Sequence, residues 1–199
     1  MDKLKDKVVL ITGAGKGNGR ILAQAFAERG SLVAANDISP INVEEVLSQI
    51  VGKGGRAKAY IEDVAKKVGA QNIVNQVEDD FGCIDILINH AAVEPHVPLL
   101  DMDEWDWHRV LDVNLTGAFL MIQSVGRVMR ARGSGVIINL ITGSTRDQNG
   151  EAAFVASMSG LDGLSRQAAR ELNPYGIQVY STENVPEKIV ERVFALFEL

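Results

Sequence analysis

A short apolar run followed by closely spaced glycines constrains this chain more than any other feature. Val8–Ile11 are four aliphatic residues in succession, which favours a central parallel strand covered on both faces. Residues 12–19 read TGAGKGNG, and such glycines mark backbone that turns tightly or is approached closely. Residues 20–28 then have apolar positions at helical spacing. A strand, a glycine loop and a helix N-terminus predict a phosphate-binding site, because loop amides and the helix dipole would face the anion.

Composition limits the classes of protein that this chain can belong to. Of its 199 residues, 46% are hydrophobic and 23% are charged, as in a soluble globular domain. The net charge of −6 and the absence of a Lys/Arg run argue against nucleic-acid binding. The sequence contains no apolar stretch long enough for a signal peptide or membrane span, so we expect a cytoplasmic protein without a membrane partner.

The single cysteine, Cys83, excludes an intrachain disulfide and a cysteine-based metal cluster. We expect Cys83 to be a small buried residue rather than a nucleophile. We expect no metal site.

Apolar runs of strand length alternate with segments of helical periodicity along the chain. We predict further strands at residues 31–37, 57–61, 84–89, 135–140 and 176–180, and further helices at 41–51, 65–81, from 110 onwards and at 185–197. This alternation predicts a three-layer, Rossmann-like α/β fold with a doubly wound parallel sheet of six strands.

The acidic residue that ends the second predicted strand is a candidate nucleotide ligand. Asp37 follows the glycine loop by about 20 positions, where dinucleotide folds place a carboxylate on the adenosine ribose. That carboxylate would repel a 2′-phosphate, so Asp37 favours NAD over NADP. The alternative is a solvated aspartate at a strand end. Lys16 could pair with a 2′-phosphate, but the nearer Asp37 should dominate.

The glycine spacing does not fit the general fingerprint G-x-G-x-x-G, because Asn18 stands where its third glycine would fall. The pattern T-G-x-x-x-G-x-G instead resembles the short-chain dehydrogenase/reductase family. The resemblance covers residues 5–179 and resumes at Pro186, and it looks most similar to the 3-oxoacyl-carrier-protein reductase type. It implies a single dinucleotide-binding domain over residues 1–199, with contacts to the cofactor from Gly13, Lys16, Gly17, Asn18 and Gly19.

Two further segments resemble parts of the family's cofactor site. Asp63 and Val64 correspond to residues that bind the adenine amino group and line the adenine pocket, although Asp63 could also cap a helix beginning near Ala65. The run Asn89-His90-Ala91-Ala92 is similar to the family's N-N-A-G turn. By that resemblance Asn89 closes a bond network beside the first strand, and Ala91 is a small residue that lets the cofactor pass.

Two residues of that turn differ from the family pattern. Ala92 replaces a glycine, so its methyl group could crowd the turn or force φ away from positive values. His90 replaces the second Asn. It could act as an acid or base, or it could be a hydrogen-bonded structural histidine.

The sequence differs from the family at the reaction end of the site, which we define as the positions of Asn114, Thr142, Phe154 and Met158. Residues 113–117 resemble the family segment V-N-L-x-G, in which the carbonyl of the residue matching Asn114 holds a water. The active-site serine position falls at Ile141-Thr142, so Thr142 could supply a hydroxyl, with Ser144 as the fallback. The family's Y-x-x-x-K signature aligns with Phe154 and Met158. Neither can donate a proton to a developing alkoxide or lower a tyrosine pKa.

The C-terminal part also differs from the family pattern. Residues 185–197 resemble the family's last helix brought forward, as if the nicotinamide-contacting turn and substrate lid had been deleted. The closing edge strand is missing, which should leave the sixth strand as a sheet edge.

Three hypotheses follow. The first is a degenerate family member that binds NAD and lacks ordinary dehydrogenase activity, with a possible homodimer or tetramer through the long helices at 114–129 and 157–172. The second is an NAD(P)-dependent oxidoreductase that uses water, His90 or Thr142 as proton donor. The third is a deletion product with no role beyond folding.

Overall fold

The computed structural model describes residues 4–141 and 150–196. Its strands are β1 (Val8–Ile11), β2 (Leu32–Asp37), β3 (Arg56–Ile61), β4 (Ile86–Asn89), β5 (Gly135–Ile141) and β6 (Ile177–Glu183). Its α-helices are α1 (Gly17–Glu28), α2 (Pro40–Gly52), α3 (Lys67–Phe81), α4 (Glu104–Leu111), α5 (Ala118–Arg132), α6 (Ala152–Leu172) and α7 (Pro186–Leu196). A π-helical turn at Asp112–Gly117 joins α4 to α5, and a 3₁₀ turn at Asn173–Tyr175 follows α6.

All six strands run parallel in the order β3-β2-β1-β4-β5-β6. This confirms the predicted doubly wound sheet of six strands, and β6 lies at an edge of the described sheet. From β1 to β3 the chain adds strands on one side of β1, and from β4 to β6 it adds them on the other side. In such folds, ligands bind beyond the carboxyl ends of the strands where the order reverses, here between β1 and β4. The glycine loop after β1 lies at this position.

Alternate residues of β1 enter two hydrophobic cores, one on each face of the sheet. Val9 and Ile11 pack with the apolar sides of α1, α2 and α7, whereas Val8 and Leu10 pack with those of α3, α5 and α6. Burial on both faces explains why the run contains no polar residue. The three-layer arrangement therefore follows directly from this strand.

The helix predicted from residue 110 begins earlier, at Glu104. Asp103 caps α4 by accepting a hydrogen bond from the Asp106 amide at 2.7 Å. Acidic residues in the first turn also favour this start, because they face the positive end of the helix dipole. The other element bounds agree with the prediction to within about three residues.

Cys83 is only partly buried, so the expectation of full burial is wrong. Its thiol lies 3.8 Å from a carboxylate oxygen of Asp85, and burial together with this carboxylate raises the thiol pKa. A raised pKa lowers the thiolate fraction, which agrees with a residue that is not a nucleophile.

Among the described helices, none has both the length and the apolar character needed to cross a lipid bilayer.

Candidate dinucleotide site

The glycine loop folds so closely on itself that two of its positions have no room for a side chain. Gly13 has φ +65°, and a Cβ at Gly19 would lie 2.2 Å from the Gly13 carbonyl oxygen. Helix α1 begins at Gly17 directly after this turn, with Lys16 as its N-cap. The amide groups of the first helical turn therefore face outward at the end of the loop, as a phosphate site requires.

The Thr12 hydroxyl joins the end of β1 to the turn after β4. It accepts hydrogen bonds from the backbone amides of His90 and Ala91, both at 3.1 Å. Asn89 was expected to close this network. Its side chain points elsewhere and donates to the Asn139 side chain at 2.8 Å, and Asn139 donates in turn to the Ser165 hydroxyl. Asn89 thus joins β4 to β5 and α6.

The turn at Ala91 and Ala92 shows no backbone strain from the methyl group of Ala92, which stands where the family has glycine. Among the described non-glycine residues, only Asp6 has a positive φ, so Ala92 occupies the turn with an ordinary backbone conformation. Both alanines border the cavity described below. The methyl group of Ala92 is therefore accommodated.

The His90 side chain is held by the glycine loop. Its Nδ1 lies 3.1 Å from the Gly13 carbonyl oxygen, and because a carbonyl only accepts, Nδ1 carries the proton. Burial lowers the pKa of His90 below its ordinary value. The imidazole is therefore neutral and bonded to the loop, an arrangement that fits the structural reading better than a general acid.

Replacing His90 with asparagine is expected to reduce the loss of stability on acidification. The unfolded chain binds a proton at His90 near pH 6.5, whereas the folded protein binds it only at lower pH. The free energy of unfolding should therefore fall as the pH falls below about 6.5. Urea denaturation at pH 7.5 and 5.5 should show a smaller decrease for His90→Asn than for the wild type. An exposed-histidine control, His108→Asn, should behave like the wild type, and equal decreases for all three proteins would contradict the prediction.

Asp37 is buried at the end of β2 and is oriented by two backbone amides. Its carboxylate accepts from Gly15 N and from Ser39 N, both at 2.9 Å. A Cβ at Gly15 would lie 2.7 Å from one carboxylate oxygen, so this loop position also favours glycine. The Asp37 oxygens retain lone pairs for further donors such as ribose hydroxyls.

Asp63 follows β3 and does not cap α3 as the alternative reading suggested. It accepts from the Ala65 amide at 2.9 Å and so closes a turn before the helix, whose N-cap is Lys66. Val64 is buried beside it with a methyl group 3.1 Å from the position a Cβ would take at Gly117. Asp63 and Val64 thus remain available to line the cavity.

A cavity of about 530 Å³ lies between the glycine loop, the ends of β2 and β3 and helix α4. This volume is within the range of small-molecule sites, roughly 300 to 1,000 Å³. The cavity brings together six of the residues expected to bind the cofactor: Gly13, Lys16, Asp37, Asp63, Val64 and Ala91. Gly17, Asn18, Gly19 and Asn89 do not border it.

The outer wall of this cavity comes from α4 and was not predicted as part of the site. Trp105, His108 and Arg109 border the cavity, and the Arg109 guanidinium lies 5.2 Å from the Trp105 ring centre. Trp105 is exposed, whereas Trp107 packs against an internal apolar cluster. The helical spacing of Trp105, His108 and Arg109 was the available signal.

The reaction end of the family site is apolar in this structure. Phe154 and Met158, one turn apart on α6, are 6% and 7% exposed. They form a cluster with Val110 and Ala153, against which Ile141 also packs. Thr142 and Ser144, the candidate hydroxyl residues, lie outside the described residues.

Asn114 lies in the π-helical turn and binds two other segments through its side chain. It accepts from Val93 N at 2.8 Å, and it donates to Val93 O at 3.0 Å and to the Ser157 hydroxyl at 3.1 Å. The side chain therefore joins the segment after β4 to α6. The family resemblance implied a role only for the backbone carbonyl of Asn114, so these side-chain hydrogen bonds were not predicted.

Asn18 also binds outside the glycine loop. Its side-chain amide donates to the Asn184 carbonyl at 2.9 Å, and Asn184 lies between β6 and α7. The glycine loop is thus in contact with the segment that follows β6.

A family model described as short chain dehydrogenase matches residues 7–185. The chain belongs to this family. A D-threitol dehydrogenase of Mycolicibacterium smegmatis is 35% identical over 178 residues, which cover 89% of this chain and 68% of the relative. A 3-oxoacyl-[acyl-carrier-protein] reductase of Staphylococcus epidermidis is 39% identical over 177 residues, covering 87% of this chain and 72% of the relative.

Solved structures of short-chain dehydrogenases share the fold. An NAD⁺-bound xylitol dehydrogenase matches with a TM-score of 0.87 and 33% identity, over 91% of this chain and 70% of that protein. A metagenomic short-chain oxidoreductase in complex with NADP matches with a TM-score of 0.90 and 27% identity, over 99% of this chain and 92% of that protein. Short-chain dehydrogenases of this fold thus include both NAD and NADP complexes.

Proposed function

We propose that this chain binds NAD as a single dinucleotide-binding domain and lacks ordinary dehydrogenase activity. The observation that carries the proposal is the contrast between the two ends of the site. At one end a cavity is bordered by Gly13, Asp37 and Asp63. At the other, Phe154 and Met158 are buried in an apolar cluster, where they supply neither a proton nor a positive charge. The adenosine half of the cofactor should therefore contribute more binding energy than the nicotinamide half.

Preference for NAD rests on the position of Asp37. Two amides hold its carboxylate at the cavity wall, where it can accept hydrogen bonds from ribose hydroxyls. A 2′-phosphate in the same place would bring two negative charges together. Lys16 borders the cavity too, but it lies at its surface, where water screens its charge.

Calorimetric titration with NAD, NADH and NADPH tests this proposal. We expect Asp37→Ala to weaken NAD binding at least about 10-fold, because hydrogen bonds to a charged group are worth about 1.5 to 3 kcal/mol. The same change should reduce the discrimination against NADPH. Asp79→Ala is the matched control, since Asp79 is exposed on α3 and does not border the cavity. Absence of binding by all three nucleotides at millimolar concentration would refute the proposal.

The alternative is an oxidoreductase with a non-standard proton donor. The relatives favour it, since they are named as dehydrogenases and reductases. Water, His90 and Thr142 are the candidate donors, and the bond from His90 to the Gly13 carbonyl makes the histidine the weakest of them. NADH absorbance followed against ketones and β-ketoacyl thioesters separates the two functions, because turnover would support the alternative.

Cytoplasmic residence and association through α5 and α6 are further parts of the proposal. The first comes from the sequence, which has no apolar stretch long enough for a signal peptide or membrane span. The second comes from the family resemblance, in which the two long helices pair between copies. A monomeric protein in light scattering would count against the association.

A further inference from the structure

We propose that Glu94, His96 and Glu151 form a binding site for a divalent transition-metal ion. One ligand atom from each of the three side chains lies within 4.8 Å of the other two. None of the three borders the nucleotide cavity, so this site is separate from the proposed NAD site. Glu94 and His96 are neighbours in sequence, but Glu151 is far from both, which explains why no spacing motif predicted the site.

Glu151 is the residue that most strongly favours a ligand at this position. Its side chain is only 6% exposed, and its Oε1 atom is buried without a hydrogen-bond partner among the described residues. A buried carboxylate oxygen without a partner is costly, since burial removes it from water. The His96 imidazole is the adjacent polar group, but its Nδ1 lies 3.8 Å from Oε1, too far for a hydrogen bond.

The spacing of these atoms suits a metal ion between them. Zinc ligands lie about 2.0 to 2.2 Å from the ion, so two ligands of a tetrahedral site are about 3.4 Å apart. The observed 3.8 Å between Glu151 Oε1 and His96 Nδ1 requires only a small inward movement. Glu94 and His96 are exposed, so their side chains are free to make it.

The backbone holds the two sides of the site together. The Val97 amide donates to the Gly150 carbonyl at 3.0 Å. Gly150 has φ +94°, and a Cβ there would lie 3.1 Å from the backbone of His96. This contact places His96 beside Glu151, the N-cap residue of α6. The site is therefore partly preformed before any ion binds.

Charge also favours a cation. Two carboxylates within 4.8 Å repel each other in the absence of a positive group. The dipole of α6 stabilises a negative charge on Glu151 but does not compensate Glu94 as well. One imidazole with two carboxylates suits zinc or cobalt, whereas magnesium and calcium prefer sites made only of oxygen ligands.

Titration of untagged protein with Co²⁺, followed by its visible absorption, tests the site, with Zn²⁺ and Mg²⁺ as competitors. We expect one tightly bound equivalent, displaced by Zn²⁺ and not by excess Mg²⁺. His96→Asn and Glu151→Gln should each weaken Co²⁺ binding at least about 10-fold. His108→Asn is the matched control, because His108 is also exposed and also lies near a glutamate, 3.4 Å from Glu104.

Thermal unfolding gives a second readout. Zn²⁺ should raise the melting temperature of the wild type and of His108→Asn, and it should leave His96→Asn and Glu151→Gln unchanged. Circular dichroism without metal verifies that these variants fold. Wild-type affinity in both His96→Asn and Glu151→Gln, or an equal loss in His108→Asn, would overturn the proposal. NAD titration of His96→Asn and Glu151→Gln is independent, because neither residue borders the nucleotide cavity. Failure of the metal site would therefore not be confused with failure of nucleotide binding.

Discussion

Replacing Met158 with lysine is expected to destabilise the protein by about 3 to 5 kcal/mol, the range seen when a buried charge has no partner. The family places a lysine at this position, but here the side chain is 7% exposed and packs with Val110, Ala153 and Phe154. An ammonium group in this cluster would lose its hydration and lie against the apolar side chains of the described cluster. Urea denaturation, with the free energy of unfolding extrapolated to water, measures the effect.

Two substitutions on the same helix serve as controls for Met158→Lys. Val155 is 37% exposed, so Val155→Lys should change the free energy of unfolding by no more than about 0.5 kcal/mol. Met158→Leu preserves volume and polarity and should cost less than about 1.5 kcal/mol. If Met158→Lys were as stable as Val155→Lys, the ammonium would be reaching water and the reaction end would be open.

Replacing Gly19 with alanine is expected to disrupt the glycine loop. The new methyl group would lie 2.2 Å from the Gly13 carbonyl oxygen and 2.7 Å from His90 Nδ1, so the loop and the His90 ring would have to separate. We expect a loss of about 1 to 3 kcal/mol in the free energy of unfolding, as for overpacked sites. NAD affinity should fall by about 10- to 100-fold, or about 1.4 to 2.8 kcal/mol.

Gly52→Ala is the matched control for Gly19→Ala. Gly52 ends α2, and no described atom lies within 4 Å of the position that its Cβ would take. Alanine favours helix over glycine by up to about 1 kcal/mol, so Gly52→Ala should be neutral or stabilising and should leave NAD affinity unchanged. Unchanged NAD affinity in Gly19→Ala would show that the nucleotide does not depend on this loop geometry.

Local patterns were sufficient to predict most of the fold. The aliphatic run of β1 had to be buried on both faces, and the alternation of strands and helices allowed few other topologies. Asp37 was predicted to face the cofactor because it ends a strand about 20 positions after the glycine loop, and Asp63 was predicted from the family resemblance. The structure places both at the cavity.

Contacts between distant segments could not be predicted in the same way. The hydrogen bonds of Asn89 with Asn139, and of Asn114 with Val93 and Ser157, depend on how separate elements pack. The start of α4 was missed because Asp103 lies in a segment rich in turn residues, and its capping role depends on the helix that follows. Hydrophobic periodicity in the sequence indicates which face of a helix or strand is buried, but it does not indicate which other element that face packs against.

The π-helical turn at Asp112–Gly117 also determines which parts of the protein the helical segment 104–132 can contact. Residues 104–132 are helical without a break, and a π-helical turn adds one residue, equivalent to about 100° of rotation in an α-helix. The helix therefore changes phase at Asn114. Before the turn, α4 contributes Trp105 and Arg109 to the nucleotide cavity; after it, α5 buries Met121 and Val125 beneath the sheet. The extra residue in the π-helical turn therefore allows one continuous helical segment to line the cavity near its start and to pack in the hydrophobic core near its end.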